Sequence, residues 1–334
     1  MYEVILLGLT IIIIAMLLLF YPVVMRKTQQ TVVFRIPRGA TAAMVSDSLT
    51  KHYGPGMAKS VMRLMNMRRV DYSKRHGMYE VPQGSNAIAV ARKIGAGGQT
   101  PVRLTVNGFR SLDLLASRIS AKLEFPADSL LLLLNDREVM SRYGLRPEQA
   151  LALFVDDTYE VYWTSSPREV IDKIGKNYLS LWNQERRDKA AALGLSPAEV
   201  MTVASIADEE TNDPDEKGKV ARLYINRLKK GMRLQADPTI RFALNDFTIR
   251  RVKGNHLKVN SPYNTYTHNG LPPGPIRTTG RSTVDRLLDS EPHDYLFMCA
   301  KEDFSGSHNF ASTFAEHSRN AERYRHALNA RGIQ

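Results

Sequence analysis

The chain has 334 residues, enough for a membrane segment and about two domains, and it carries a formal charge of +12 that favours an anionic partner. Nucleic acid, anionic lipid headgroups and acidic cell-wall polymer all qualify. The single cysteine, Cys299, excludes an intramolecular disulfide, and the eight histidines lack paired metal-binding spacing, so neither a metal nor a cofactor is predicted.

An apolar run opens the chain. Residues 4–25 contain no charged side chain and are long enough to cross a bilayer as one helix. A cleaved signal peptide is the alternative, but Glu3 stands where a basic start is expected and no small-residue cleavage site follows. We therefore predict an uncleaved anchor. Its orientation stays open, because four basic residues after it would by themselves favour a cytoplasmic C-terminal side: Arg26, Lys27, Arg35 and Arg38.

Short strands and helices alternate before about residue 160, which predicts a small α+β module. Alternating apolar and polar residues predict strands at residues 31–37, 77–82 and 101–107. Apolar residues at helical spacing predict helices at residues 41–53, 86–94 and 111–123. The basic, methionine-rich residues 62–69 predict an amphipathic helix with a solvated basic face, with a lipid-facing patch as the less favoured alternative.

Capping signals mark the helices of the second half. Ser196, Pro197 and Glu199 predict a capping box, and the sequence D-P-D-E at residues 213–216 repeats this device. A third, shorter helix is predicted to start at Asp237. Two tightly joined helices therefore meet at residues 210 and 211, directly after three consecutive acids.

A helical wheel separates these three acids. Glu209 falls beside Thr202 and Ser205 on the polar side, so we expect it to be solvated. Glu210 falls well inside the apolar arc, and Asp208 lies near the arc's other edge. A carboxyl group held against apolar side chains has a raised pKa, as a general acid needs. A buried hydrogen bond or ion pair that closes the helix is the structural alternative for Glu210.

Five segments in one register carry a resemblance to a known family: I-A-D-E-E-T, V-A-R-L-Y-I-N-R-L, G-M-R-L-Q-A-D-P-T, S-P-Y-N-T-Y and N-G-L-P-P-G-P-I. Within residues 196–319 the chain resembles the endolytic murein transglycosylase, or YceG-like, family. The resemblance implies an α+β protein with an N-terminal transmembrane helix, a small LysM-like α+β module and a mixed α+β lytic transglycosylase domain. The corresponding ranges are 1–27, 28–160 and 161–334.

The resemblance also implies an activity and a location. Such proteins lie in the cytoplasmic membrane with one span and a periplasmic catalytic domain. They cut peptidoglycan glycan strands internally, between N-acetylmuramic acid and N-acetylglucosamine. The expected partners are glycan strands, the cytoplasmic membrane and cell-wall synthesis proteins, with no nucleic acid and no cofactor.

The family's catalytic glutamate directly precedes a threonine and falls on Glu210. The chain departs from the family at the two preceding acids, since Asp208 and Glu209 replace a glutamate and a lysine, and at Ala236, which replaces a threonine. Candidate substrate-binding residues, each with a structural alternative, are Thr211, Asn226, Gln235, Asp237, Tyr263, Asn264, Thr265, Tyr266 and His308.

Other functions stay open at this stage. A lytic transglycosylase needs one essential carboxyl group, because the muramyl C6 hydroxyl is its nucleophile. A muramidase-type hydrolase needs a second carboxylate, for which Asp208 is the candidate. A non-catalytic peptidoglycan-binding scaffold is a further alternative. A membrane-tethered nucleic-acid binder fits the charge, but no motif supports it.

Overall fold

The computed structural model describes residues 2–332, and the side chains of residues 2–6, 12, 15 and 17–20 lie outside that description. The chain divides into two compact units. Unit 1 comprises Met1–Arg103, Ser120–Phe125 and Glu160–Ser166; unit 2 comprises Leu104–Ile119, Pro126–Tyr159 and Pro167–Gln334. The domain ranges expected from the sequence, with a boundary near residue 160, stay a prediction.

Helices make up most of the described secondary structure. In chain order they are α1 (Tyr2–Met25), α2 (Ala42–Tyr53), α3 (Pro55–Met67), α4 (Ala87–Gly95), α5 (Leu112–Ser120), α6 (Ala127–Leu134), α7 (Arg137–Ser141), α8 (Ala150–Leu153), α9 (Pro167–Leu181), α10 (Gln184–Leu193), α11 (Pro197–Glu210), α12 (Pro214–Lys229), α13 (Asp237–Ala243), α14 (Arg281–Leu288) and α15 (Phe314–Ala330).

The strands form three two-stranded sheets among the described residues. They are β1 (Val32–Ile36), β2 (Gly77–Val81), β3 (Val102–Val106), β4 (Asp157–Val161), β5 (Phe297–Ala300) and β6 (His308–Ala311). Strand β1 pairs antiparallel with β2, β3 pairs with β4, and β5 pairs antiparallel with β6. The predicted α+β class, with helices beside small sheets, is confirmed.

The core of unit 1 lies between the β1–β2 pair and helices α2 to α4. Phe34 and Tyr79 are opposite each other in the register, and their rings stack with centroids 5.7 Å apart. Cross-strand aromatic pairs of this kind stabilise a sheet beyond the apolar area that they bury. Leu49, Val61 and Ile94 complete the core from the three helices.

Local signals predicted most of unit 1. All three strands predicted from alternation are present, within one residue at each end. Thr41 and Asn86 cap α2 and α4 through their side-chain oxygens, so both helices begin where expected. The methionine-rich helix is present as well, but it begins earlier, at Pro55, directly after Gly54, whose φ of 78° favours glycine.

Helix α11 is the centre of unit 2. It packs against α8, α10, α12, α13 and α14, so its side chains are buried on every side from Val200 to Asp208. The predicted capping box is confirmed, because Ser196 and Glu199 exchange hydrogen bonds at its first turn. The second predicted box is only half formed: Asp213 caps α12 through the Asp215 N–H, whereas the Glu216 carboxylate binds elsewhere.

The predicted membrane anchor is described only in part, since several of its side chains lie outside the described residues. Its backbone is helical throughout α1. Within the part that can be assessed, no single helix is long and apolar enough to cross a membrane by itself. The pair of α10 and α11, bent by 75°, meets the requirement only by length and composition.

Candidate active site

The site is built around the carboxyl end of α11. The helix ends at Glu210 because Thr211 takes an extended backbone conformation (φ −139°, ψ 138°) and Asp213 precedes a proline, which disfavours helical geometry. Glu210 is partly exposed, unlike the ten buried residues that α11 contributes before it. It therefore combines a buried setting with access from outside.

One hydrogen bond defines the state of Glu210. The Tyr224 hydroxyl, on α12, donates to Glu210 Oε1 over 2.6 Å. Burial raises the pKa of Glu210, the Tyr224 hydrogen bond lowers it, the charge of Asp237 raises it, and His308 and Arg241 lower it, with a net rise. This carboxyl group therefore keeps its proton at a higher pH than a free glutamate does. Burial, with the nearby Glu210, also holds the pKa of Tyr224 well above its ordinary value, so Tyr224 remains a neutral donor.

A second acid lies in the electrostatic environment of Glu210. Asp237 is the first residue of α13, and its Oδ1 accepts a hydrogen bond of 2.6 Å from the Tyr266 hydroxyl. Burial and the hydrogen-bonded Asp237 both raise the pKa of Tyr266, which therefore stays a donor. Asp237 and Tyr266 are thus brought together in the electrostatic environment of Glu210.

His308 reaches the same environment through a buried glutamate. Glu216 accepts hydrogen bonds of 2.8 Å from both the backbone N–H and the Nδ1 of His308. Thr211 adds its hydroxyl to the same carboxylate at 3.4 Å. This arrangement fixes the imidazole of the first residue of β6 and leaves its Nε2 as the nitrogen not bound to Glu216.

Two predicted residues support the site from behind. Asn264 is fully buried; its amide donates to the carbonyls of Leu257 and Val259, and its Oδ1 accepts from the Tyr266 N–H. Thr265 is buried as well, and its hydroxyl accepts from the Ala236 N–H. Both side chains form hydrogen bonds within the protein, and through these bonds they position Tyr266 and the start of α13.

Three other predicted residues make hydrogen bonds that do not involve Glu210. Asn226 donates to the carbonyls of His293 and Tyr295 and so braces the approach to β5. The Tyr263 hydroxyl donates to the Glu148 carbonyl, and its ring lines a cavity of about 420 Å³ that Glu210 does not line. Gln235 is exposed and has a left-handed backbone (φ 50°), held by its N–H bond to the Thr265 carbonyl.

The prediction that Glu209 is solvated is wrong. Its side chain is 6% exposed and lies between Arg110, at 2.7 Å, and Arg277, at 3.1 Å. The wheel assumed a solvent-facing side of α11, but other parts of unit 2 cover that side. Ser205, for instance, bonds internally to the Thr202 carbonyl and accepts the Ile276 N–H.

Asp208 is held by three donors. Its side chain is 5% exposed, and Lys217 contacts Oδ1 at 2.5 Å, Thr283 contacts Oδ1 at 2.8 Å, and Thr279 donates to Oδ2. Every carboxylate oxygen is therefore engaged by α12 or by residues in or just before α14. This pattern is that of a structural ion pair, which joins the end of α11 to its neighbours.

Sequence reasoning missed three members of the site: Tyr224, Glu216 and Arg241. In the sequence, Tyr224 stands out only as a member of the segment V-A-R-L-Y-I-N-R-L, and Glu216 only as a helix cap. A buried tyrosine needs a hydrogen-bond partner, which is the signal that could have directed attention to it. Within residues 2–332, no group of three or more His, Cys, Asp or Glu side chains is arranged to hold a metal ion.

Comparisons with known proteins converge on one family. The sequence model of the YceG-like family matches residues 34–323. The endolytic murein transglycosylase of Bacillus subtilis (strain 168) is 25% identical over 321 residues, covering 90% of this chain and 86% of its own length. That of Streptococcus pneumoniae (strain ATCC BAA-255 / R6) is 26% identical over 181 residues, covering 52% of this chain and 32% of its own length.

A crystal structure of a YceG-like protein from Listeria monocytogenes is also similar. It superposes with a TM-score of 0.58 at 26% sequence identity, and the match covers 87% of this chain and 98% of that one. The structural likeness therefore extends over most of the chain.

Asp208→Asn should destabilise unit 2 by about 3 kcal/mol, because it leaves the Lys217 ammonium without its buried counter-charge. Urea unfolding measures this, followed by fluorescence in a Trp163→Phe background so that Trp182 alone reports on unit 2. Asp215→Asn is the matched control, since that side chain is 91% exposed and should change stability little. Equal effects of the two substitutions would contradict the structural role of Asp208.

Proposed function

Because the chain belongs to the YceG-like family, we propose that it is an endolytic lytic transglycosylase of peptidoglycan. It cuts the bond between N-acetylmuramic acid and N-acetylglucosamine within glycan strands and leaves 1,6-anhydromuramyl ends. Glu210 is its general acid and then its base. The observation that carries this proposal is the Glu210 carboxyl group at the end of α11, with its raised pKa and its hydrogen bond from Tyr224.

The reaction needs only one carboxyl group to move protons. Glu210 donates its proton to the glycosidic oxygen, the bond from that oxygen to muramyl C1 breaks, and C1 becomes oxocarbenium-like. The muramyl C6 hydroxyl oxygen then bonds to C1, and its proton passes to the Glu210 carboxylate. Glu210 ends protonated, as it began, and no water is consumed.

Charge and hydrogen bonds around Glu210 suit both halves of this cycle. A raised pKa supplies the acid form, whereas the Tyr224 hydroxyl stabilises the carboxylate that appears when the proton leaves. Asp237 brings a negative charge near the centre where positive charge develops. We propose that Asp237, Tyr266, His308 and Thr211 contact or orient the sugars, and that Asn264 and Thr265 act through them.

The principal alternative is a muramidase-type hydrolase with two carboxylates. The engagement of Asp208 by Lys217, Thr279 and Thr283 weighs against that residue as nucleophile or base. Asp237 and Glu216 are the other acids of the site, and Glu216 is already engaged by His308 and Thr211. Reducing ends on the products, in place of anhydro ends, would favour the hydrolase.

We further propose that residues 1–27 anchor the chain in the cytoplasmic membrane by a single span. Residues 28–160 form a LysM-like module that positions glycan strands, and the catalytic domain follows on the periplasmic side. The support is the uncharged apolar run at residues 4–25, and the substrate, which lies outside the cytoplasm. Cell-wall synthesis proteins are the proposed protein partners.

Glu210→Gln should lower the rate of anhydromuramyl product formation by about 10²-fold to 10⁴-fold or more, because glutamine can neither donate the proton nor accept it. Mass spectrometry of products released from purified sacculi measures this, with melting temperature and sacculus binding expected to be unchanged. Glu185→Gln, on an exposed side chain of the same unit, is the control. Near-normal turnover by Glu210→Gln with anhydro products would refute the assignment.

Tyr224→Phe should shift the pH profile of cleavage to higher pH. Its hydroxyl lowers the pKa of Glu210, so its removal raises that pKa further, and the acid form persists to higher pH. In a plot of initial rate against pH, measured at sub-saturating soluble glycan, the high-pH limb therefore moves to higher pH. Tyr162→Phe, at a half-exposed tyrosine of unit 1, should leave the limb in place. A limb that does not move, or moves to lower pH, would exclude this coupling.

A reporter enzyme that is active only in the periplasm, fused after Gln334, should be active. The expected orientation follows from the substrate, despite the basic residues behind the anchor. The matched fusion carries a reporter active only in the cytoplasm at the same position. Activity of this second fusion would show that the C-terminal side lies in the cytoplasm. The proposed orientation would then be wrong, and the enzyme would have no access to its substrate.

A further inference from the structure

A second cavity lies in unit 1, at the carboxyl end of α1. It has a volume of about 990 Å³, is open on one side, and is lined by the end of α1, one side of α2 and the length of α3. Glu210 and the other residues of the candidate active site do not line it, and the proposed reaction makes no use of it. Its lining mixes basic, hydroxyl and apolar side chains.

The charges in this cavity have one sign. Arg26, Lys59 and Arg63 line it, and its lining includes no aspartate or glutamate. None of the three makes an ion pair with an acidic residue in the described part of the chain. Three cations that share a concave surface without a counter-charge create a positive potential, which an anion relieves on binding.

Gly56, which has no side chain, leaves room for Arg26. A Cβ atom at Gly56 would lie 1.9 Å from Arg26 Nη1, so the guanidinium group lies directly against the first turn of α3. Arginine in this setting offers a planar set of donors that suits the oxygens of a phosphate group. The glycine therefore shapes the part of the cavity nearest to α1.

Apolar side chains line the remainder of the cavity and its edge. Pro22, Val23 and Met62 line it, and so does Met67, which is 68% exposed. Met25, on the last turn of α1, is 59% exposed. Cations beside exposed apolar side chains match the chemistry of a phospholipid, whose anionic headgroup adjoins hydrocarbon.

We propose that this cavity binds the phosphate headgroup of an anionic phospholipid where α1 leaves the bilayer. The inference rests on the proposed function in one respect, the role of α1 as anchor, which places residues 22–26 at the membrane surface. Bound lipid would fix the height and tilt of unit 1 above the membrane. The site thereby acts on how the enzyme is presented to its substrate, and not on the chemistry at Glu210.

Native mass spectrometry of the full chain in detergent tests the site. Phosphatidylglycerol and phosphatidylcholine with identical acyl chains are the probes, with inorganic phosphate alone as a third arm. We expect phosphatidylglycerol to be retained preferentially, and Lys59→Gln/Arg63→Gln to lower its retention on the order of tenfold. Arg68→Gln/Arg69→Gln is the matched control, because these exposed basic residues follow α3 but do not line the cavity.

Several outcomes overturn the proposal. One is undiminished retention of phosphatidylglycerol by Lys59→Gln/Arg63→Gln. Another is an equal loss of retention in the control variant, which would mean that surface charge binds the lipid non-specifically. Equal retention of the two lipids would mean that the charge of the headgroup is not recognised. Displacement of lipid by millimolar inorganic phosphate would assign a free-anion site instead.

Two further measurements separate this proposal from the others. Lys59→Gln/Arg63→Gln should still yield anhydromuramyl products in detergent, so failure of the wild-type chain to cut glycan refutes the enzyme assignment and not the lipid site. Release of the wild-type chain from membranes by alkaline carbonate would refute the anchor separately.

Discussion

Two sets of buried ionic contacts fix the last turn of α11, and the chemistry of the neighbouring glutamate depends on them. Asp208 is held by Lys217 and two threonines, and Glu209 by Arg110 and Arg277. Removing a charge from water is costly unless it is paired, so each carboxylate can occupy only the place where its partners are. The backbone of residues 208 and 209 is thereby held in place, directly before Glu210.

The surroundings of Glu210 come from distant parts of the chain that are joined by a few polar contacts. Glu216 connects the first turn of α12 to the first residue of β6, and Tyr266 connects a loop to the start of α13. Asn264 and Thr265 give the loop its shape by satisfying backbone groups that would otherwise be buried without partners. Apart from the Tyr224 hydrogen bond to Glu210, the site is therefore assembled by hydrogen bonds that do not involve the proposed catalytic carboxyl group.

Local chemistry made much of the fold predictable. Ser196 caps α11 where a capping box was predicted, and Thr41 and Asn86 cap two helices whose starts were predicted from the sequence. Alternating residues form strands where alternation was recognised. Glu210 was singled out because an acidic side chain is unusual within the apolar arc of a helix. These signals depend only on neighbours within a few residues along the chain.

The failures all concern contacts between distant residues. Glu209 faces two arginines that lie about 100 and 70 positions away in the sequence, and no wheel of a single helix contains them. Glu216 serves His308 and not its own helix end, which a capping pattern cannot reveal. Asn226 and Tyr263 matched family segments, yet their side chains support the backbone of other segments.

The left-handed backbone of Gln235 has a consequence for the start of α13. A residue with a Cβ atom adopts this conformation at a cost of about 1 kcal/mol or more, and here the N–H bond to the Thr265 carbonyl keeps it in place. Asp237, two residues later, therefore depends for its position on a strained backbone. If the loop around Thr265 loosened, the backbone of Gln235 would relax and Asp237 would move with it.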